Sequence, residues 1–152
     1  MKEIQGDLIE LALNGKFDVI VHGCNCFCNM GAGIAKTIKE IFPDAYYRDL
    51  QTIKGDKTKL GTLNFSYESK IPLYIINAYT QYYYGISENG NVPVDYEAIR
   101  SCMKKLKSLF KNSHIGMPLI GCGLAGGKWE IVKKIIDEEL KGMNVTIVHY
   151  KG

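Results

Sequence analysis

Apolar positions along the chain follow two periods. Short runs rich in β-branched residues, "FDVIVHG", "HIGMPLI" and "NVTIVHY", read as buried strands. "LGTLNFSYE" and "PLYIINAYTQ" are two more, separated by the polar turn "SKI", and "KEIQ" reads as a short edge strand. Helical spacing takes over between them. Ile99, Met103, Leu106 and Phe110 recur behind Pro93 and Asp95, which act as start signals. Trp129, Val132, Ile135, Ile136 and Leu140 do the same, and Gly142 supplies a stop. Ile34, Ile38 and Ile41 make a third stripe closed by Pro43, and "LIELALN" before Gly15 is a short first helix. Strands alternating with helices predict a layered α/β domain, with a mostly parallel sheet covered on both faces. Ligands of such sheets bind at the carboxyl ends of the strands, where loops lead into helices.

Composition narrows the picture. The 152 residues are expected to form one domain, 1–152, with a core that needs neither disulfides nor a metal. No run reaches the ~18 to 20 apolar residues of a membrane span, and "MKEIQGDLIE" lacks the regions of a signal peptide. The expectation is a cytoplasmic protein with no membrane partner. The net charge of +3 arises from 17 lysines and two arginines spread along the chain. Nucleic-acid binders carry a denser basic stripe, so the pattern points away from extended nucleic acid. Five cysteines, three of them at 24, 26 and 28, are expected as reduced thiols. Because these three alternate, a strand would point them one way, and no second Cys/His pair has zinc-like spacing. No metal and no cofactor are expected.

Two strand-to-helix junctions are glycine-rich: "GCNCFCNMGAGIA", and "PLIGCGLAGGKWE" with Gly121, Gly123, Gly126 and Gly127. Glycines let backbone approach a ligand, and successive amides ahead of a helix form an anion cradle. Two such loops suggest a pair of phosphates held between them. Neither has a Walker Lys-Ser/Thr ending or a G-x-G-x-x-G, which excludes the ATPase and dinucleotide fingerprints.

Gly6-Asp7, then "FDVIVHGCNC", the small-residue loop before Ile34, "PLIGCGLAGG" and a closing "TIVHY" together resemble a macro domain, the ADP-ribose-binding α/β module. The resemblance covers nearly the whole chain. It is nearest to the stand-alone type that acts as ADP-ribose-1″-phosphate phosphatase, through "IVHGCNC" running into "GAGIA", "MP-x-I-x-x-G" and Trp129. It implies a three-layer α/β/α fold with a mixed, mostly parallel six-stranded sheet. The implied ligand is ADP-ribose or ADP-ribose-1″-phosphate, with ADP-ribosylated macromolecules as further partners. Asp7 and Leu8 match the adenine end, where Asp7 accepts a hydrogen bond from the adenine amino group, and Tyr150 packs on the adenine face. Asp7 also suits a helix cap. Gly23, Asn25, Met30, Gly31, Ala32, Gly33 and Ile34 match the loop along the distal ribose and diphosphate. Gly121, Cys122, Gly123, Leu124, Ala125 and Gly126 match the opposing diphosphate loop, and Thr80 joins the distal pocket with Asn77, Tyr79 and Gln81.

The reaction is less determined. Macro domains that remove ADP-ribose from proteins carry an aspartate where this chain has Ala35. The terminal ADP-ribose glycohydrolases use a lysine near the middle strand and an aspartate where Ala125 stands, and "IINAYTQYYYG" has no lysine. A cysteine phosphatase needs an arginine behind its nucleophile, and the residues six positions after the five cysteines are Met30, Ala32, Ile34, Ser108 and Lys128. His22, at the end of a buried strand, is the candidate general acid or base, and Asn25 the candidate for orienting water or phosphate. Phosphate release from ADP-ribose-1″-phosphate leads. Non-catalytic binding and substrate-assisted ADP-ribosyl hydrolysis are the alternatives. Tyr82, Tyr83 and Tyr84 are a candidate wall or lid.

Overall fold

A computed structural model describes residues 1–85 and 89–150. Its six strands are β1 (Lys2–Gly6), β2 (Val19–Cys24), β3 (Leu63–Glu68), β4 (Leu73–Tyr79), β5 (His114–Met117) and β6 (Asn144–Tyr150). They form one sheet in the order β1-β6-β5-β2-β4-β3. Every neighbouring pair is parallel except β3–β4. The polar turn between those two is too short for a crossover, so the chain must fold straight back.

The helices are α1 (Leu8–Leu13), α2 (Gly33–Ile41), α3 (Pro43–Leu50), α4 (Tyr96–Phe110) and α5 (Trp129–Glu139). Strand alternation sorts the sheet's side chains into two cores. Val19 and Val21 of β2 pack with α4 and α5, whereas Ile20 packs on the other face with α1, α2 and α3. The result is the expected three-layer α/β/α arrangement around a six-stranded mixed sheet.

One helix escapes the apolar pattern. Pro43 closes α2 as anticipated, but it also opens α3, where proline's missing N–H removes no helical bond. The buried residues of α3 are Ala45 and Asp49, and a carboxylate on the inward face leaves no hydrophobic stripe to read.

The alternating thiols do not share a side. β2 ends at Cys24, so Cys26 and Cys28 lie in the following loop. Cys26 Sγ donates to Gln81 O, while Cys28, at a left-handed φ of 54°, directs its thiol to Asp49 O at 3.3 Å.

Candidate active site: a cleft between two glycine loops

A cleft of about 430 Å³ lies across the carboxyl ends of the parallel strands. Its walls are the two glycine-rich loops. The first supplies Gly23, Asn25, Met30, Ala32, Gly33 and Ile34, and the second Gly121, Cys122, Gly123, Leu124 and Ala125. Val148 and Tyr150 of β6 close one end, while Gln81 and Tyr84 beyond β4 close the other.

Unpaired amides line both walls. Asp7 and Asp95 cap α1 and α4 through the Glu10 and Ala98 N–H groups. By contrast, α2 has Ala32 at its N-cap and no side-chain cap. The first N–H groups of α2 therefore face the cleft with the positive end of the helix dipole. Gly33 sits at φ 60°, a conformation that favours glycine, and a Cβ there would lie 3.9 Å from Leu124 Cδ1 on the opposite wall. In the second loop, Cys122 N–H donates to Leu119 O, Gly126 N–H to Gly123 O and Gly127 N–H to Gly121 O at 2.6 Å. A Cβ on Gly127 would strike that Gly121 carbonyl oxygen, so the closure needs glycine. Among the described residues, the Gly123, Leu124 and Ala125 N–H groups donate to no protein acceptor. Two sets of free donors thus oppose each other across a gap, an arrangement suited to an anionic group.

Asn25 is 8% exposed and organises the first loop. Its Oδ1 accepts from the Phe27 N–H at 2.9 Å and the Asn29 N–H at 3.4 Å, and its Nδ2 donates to Asn29 O at 2.7 Å. One amide hydrogen is left for a ligand. At the opposite end, β1 pairs with β6 so that Gly6 is level with Tyr150, and Asp7 follows one residue on, outside the cleft's lining. Asp7 Oδ1 is taken by Glu10 N–H at 3.0 Å, and Tyr150 is 77% exposed, its face open.

The structure places several predicted residues elsewhere. His22 is wholly buried and does not line the cleft. Asn77 spends both amide hydrogens on Ala45 O and Asn64 Oδ1, so its Oδ1 must accept from His22 Nε2, at 2.7 Å. Burial pushes the imidazole down to about 4, against the lift from Asn77. A neutral, sequestered ring braces β2 against β4 and has no path to a reacting group. The acid–base position expected for His22 is therefore corrected to a framework position. Asn77 and Tyr79 are core groups as well, the Tyr79 hydroxyl donating to Asp49 Oδ1 at 2.6 Å. Leu8 packs in the core. Thr80 is fully buried beneath Gly23, where a Cβ would fall 2.6 Å from its Oγ1, and that hydroxyl has no partner. Gly126 holds its loop under Val92, and Gly31 faces an adjoining pocket.

Asn29, Cys24, Pro118, Leu119, Ile120 and Val148 line the cleft without having been marked by sequence. All but Val148, which lies inside β6, are at a strand end or within turns, where neither period gives a direction. The thiols do not supply a nucleophile: burial pushes Cys122 up to about 11 and Cys24 well above its ordinary value. Among the described lining residues there is no carboxylate, lysine, arginine or histidine. No group of three or more His, Cys, Asp or Glu among the described residues could hold a metal. Among the described residues, no helix is long and apolar enough to cross a membrane.

A doubly covered mixed sheet with paired glycine loops at its strand ends defines the class, and the family model described as "Macro domain" matches residues 21–136. The chain belongs to the macro domain family. An uncharacterised 17.5 kDa protein of Enterobacteria phage T4, from the tk-vs intergenic region, is 35% identical, covering 99% of this chain and 97% of its own. An ADP-ribose glycohydrolase of Bos taurus is 29% identical over 97% of this chain and 88% of its own. An ADP-ribose 1″-phosphate phosphatase of Aspergillus oryzae is 48% identical, but over only 30% of this chain and 21% of its own. A solved protein of unknown function from Bacteroides thetaiotaomicron superposes with a TM-score of 0.79 at 31% identity, covering 97% of this chain and 96% of that one.

Proposed function

We propose that the cleft binds ADP-ribose, with adenine between Asp7 and Tyr150, the diphosphate between the two loops, and the distal ribose beside Asn25. The observation that carries this is the pair of opposed, unpartnered amide sets, the uncapped α2 N-terminus and the Gly123–Ala125 turn. They offer neutral donors for a diphosphate without burying a lysine or arginine. The Bos taurus relative, whose name refers to ADP-ribose, supports the same ligand. Titration calorimetry tests the reading. Saturable one-to-one binding of ADP-ribose is expected, with AMP and ribose 5-phosphate each far weaker. Equal affinity for AMP and ADP-ribose would remove the assignment of the second loop and the distal ribose.

A second reading adds a reaction: release of the terminal phosphate from ADP-ribose-1″-phosphate. The local 48% identity to the Aspergillus oryzae phosphatase favours it. Water would add to phosphorus as the bond to the distal ribose oxygen breaks, and the water's proton would pass to that oxygen, leaving ADP-ribose and inorganic phosphate. With no carboxylate or imidazole lining the described cleft, backbone donors and the free Asn25 N–H would carry the stabilisation. Phosphate release measured on the binding-competent sample decides it: no turnover above blank leaves a non-catalytic binder. ADP-ribosyl hydrolysis is the weaker alternative, since Ala35 and Ala125 line the cleft and bring no acid or base to it.

A further inference from the structure

One thiol differs from the other four. Burial pushes Cys24, Cys26 and Cys102 up, the last to about 12, and Cys122 is raised in the same way. Cys28 is half-buried in the wall of a second pocket, of about 310 Å³, which opens behind the first loop. There it meets a cation. The Lys59 ammonium reaches its sulfur at 4.0 Å and donates to Thr52 Oγ1 at 2.9 Å. Lys59 belongs to the short turn Lys57–Lys59 and is 7% exposed. Among the described residues no carboxylate stands within ion-pair distance of it. A buried ammonium so placed calls for another anion. Asp49 does not fill that role. Its backbone oxygen accepts from Cys28, its Oδ1 from the Tyr79 hydroxyl, and its buried Oδ2 has no partner.

We infer that Cys28 is a modification site for hydrogen peroxide, with Lys59 as the charge partner of the reacting sulfur. The thiolate is the nucleophile in such a reaction. Its sulfur bonds to one peroxide oxygen as the O–O bond breaks. The proton that the thiol gave up joins the departing hydroxide as water. Sulfur is thereby oxidised to a sulfenic acid and the peroxide is reduced. Lys59 gives the anionic sulfur a charge-assisted partner. The rest of the described pocket lining is cationic or neutral, with Lys39, Lys54 and the Tyr46 and Tyr84 hydroxyls as donors toward the departing oxygen. The neighbouring thiol of Cys26 is turned to Gln81 O, so it is not aimed at the product. Nothing in this inference depends on the ligand of the cleft.

The test exposes the reduced full chain to hydrogen peroxide with dimedone, which traps sulfenic acids, and locates the labelled cysteines by peptide mass spectrometry over time. Cys28 is expected to label first, at least about tenfold faster than any other cysteine. Lys59→Met keeps the buried stem and removes the charge; with folding checked by thermal melting, it should slow Cys28 by at least about fivefold. The unmodified protein supplies a second measurement that needs no variant. Unfolding in urea separates Cys28 from Lys59 and exposes all five thiols, so Cys28 should react faster folded than unfolded, and the other four slower. First labelling at another cysteine overturns the site. So does a Cys28 that reacts no faster folded than unfolded, or a folded Lys59→Met that keeps the full rate.

Discussion

Ala32→Asp sets stability against binding at a single position. Ala32 is exposed, with φ −146° and ψ 158°, the extended geometry of a good N-cap, and it makes no capping bond. An aspartate there can accept from a first-turn N–H without backbone strain, which contributes about 1 kcal/mol, and the helix dipole adds a few tenths. For a domain of this size that should raise the melting temperature by roughly 2–4 °C per kcal/mol. The same carboxylate would occupy the donors proposed for the diphosphate. Two like charges ~5 Å apart cost about 3 kcal/mol at an effective dielectric near 20, and less at an exposed site. With a doubly charged diphosphate the net loss is on the order of 2–3 kcal/mol, or roughly 30- to 150-fold in Kd. Differential scanning calorimetry and titration with ADP-ribose read the two effects on one sample. A more stable variant that still binds ADP-ribose at full strength would refute the cradle, because its donors would then be dispensable. A less stable variant would show that α2 has no uncapped end to satisfy.

The remaining predictions test other parts of the same scheme. His22 titrates near 4 in the fold against ~6.5 in the unfolded chain, so the unfolded state takes the proton first. Its contribution is fully present above about pH 6.5 and is lost as pH falls toward 4, roughly 3 kcal/mol over that window. Urea midpoints at pH 7 and pH 5 should therefore converge in His22→Gln relative to the unmodified protein, and an unaltered pH slope would place the titration elsewhere. Asp7→Ala should cost about 1 kcal/mol of stability through the lost cap. It should also weaken ADP-ribose by roughly 1–3 kcal/mol if its free oxygen meets the adenine amino group; a folded variant with unchanged affinity removes that contact. Gly127→Ala, which drives a methyl into the Gly121 carbonyl, should lower both the melting temperature and the affinity, whereas a fully stable variant would mean the loop has room to shift.

Both glycine loops and most of the fold were legible in the chain. The 2.0 and 3.6 periods located all six strands and four of the five α-helices, because each buries one apolar face and local geometry repeats there. Helix α3 was illegible because its inward face carries Asp49, paired with Tyr79 from β4, so polarity there reports a tertiary hydrogen bond. The same gap misled the reading of His22. The sequence put it beside a glycine loop, but only the pairing of β2 with β4 sets it against Asn77 and out of reach of the cleft. Lys39, Tyr46 and Lys54 carry no mark in the sequence and line one pocket only once α2, α3 and the segment after α3 are packed together. By itself the sequence determined where backbone must turn tightly and which faces must be buried, since steric limits and hydrophobic burial act on neighbours along the chain. Which polar groups meet, which are sealed off and which face a ligand was decided by tertiary structure, because each depends on a partner tens of residues away.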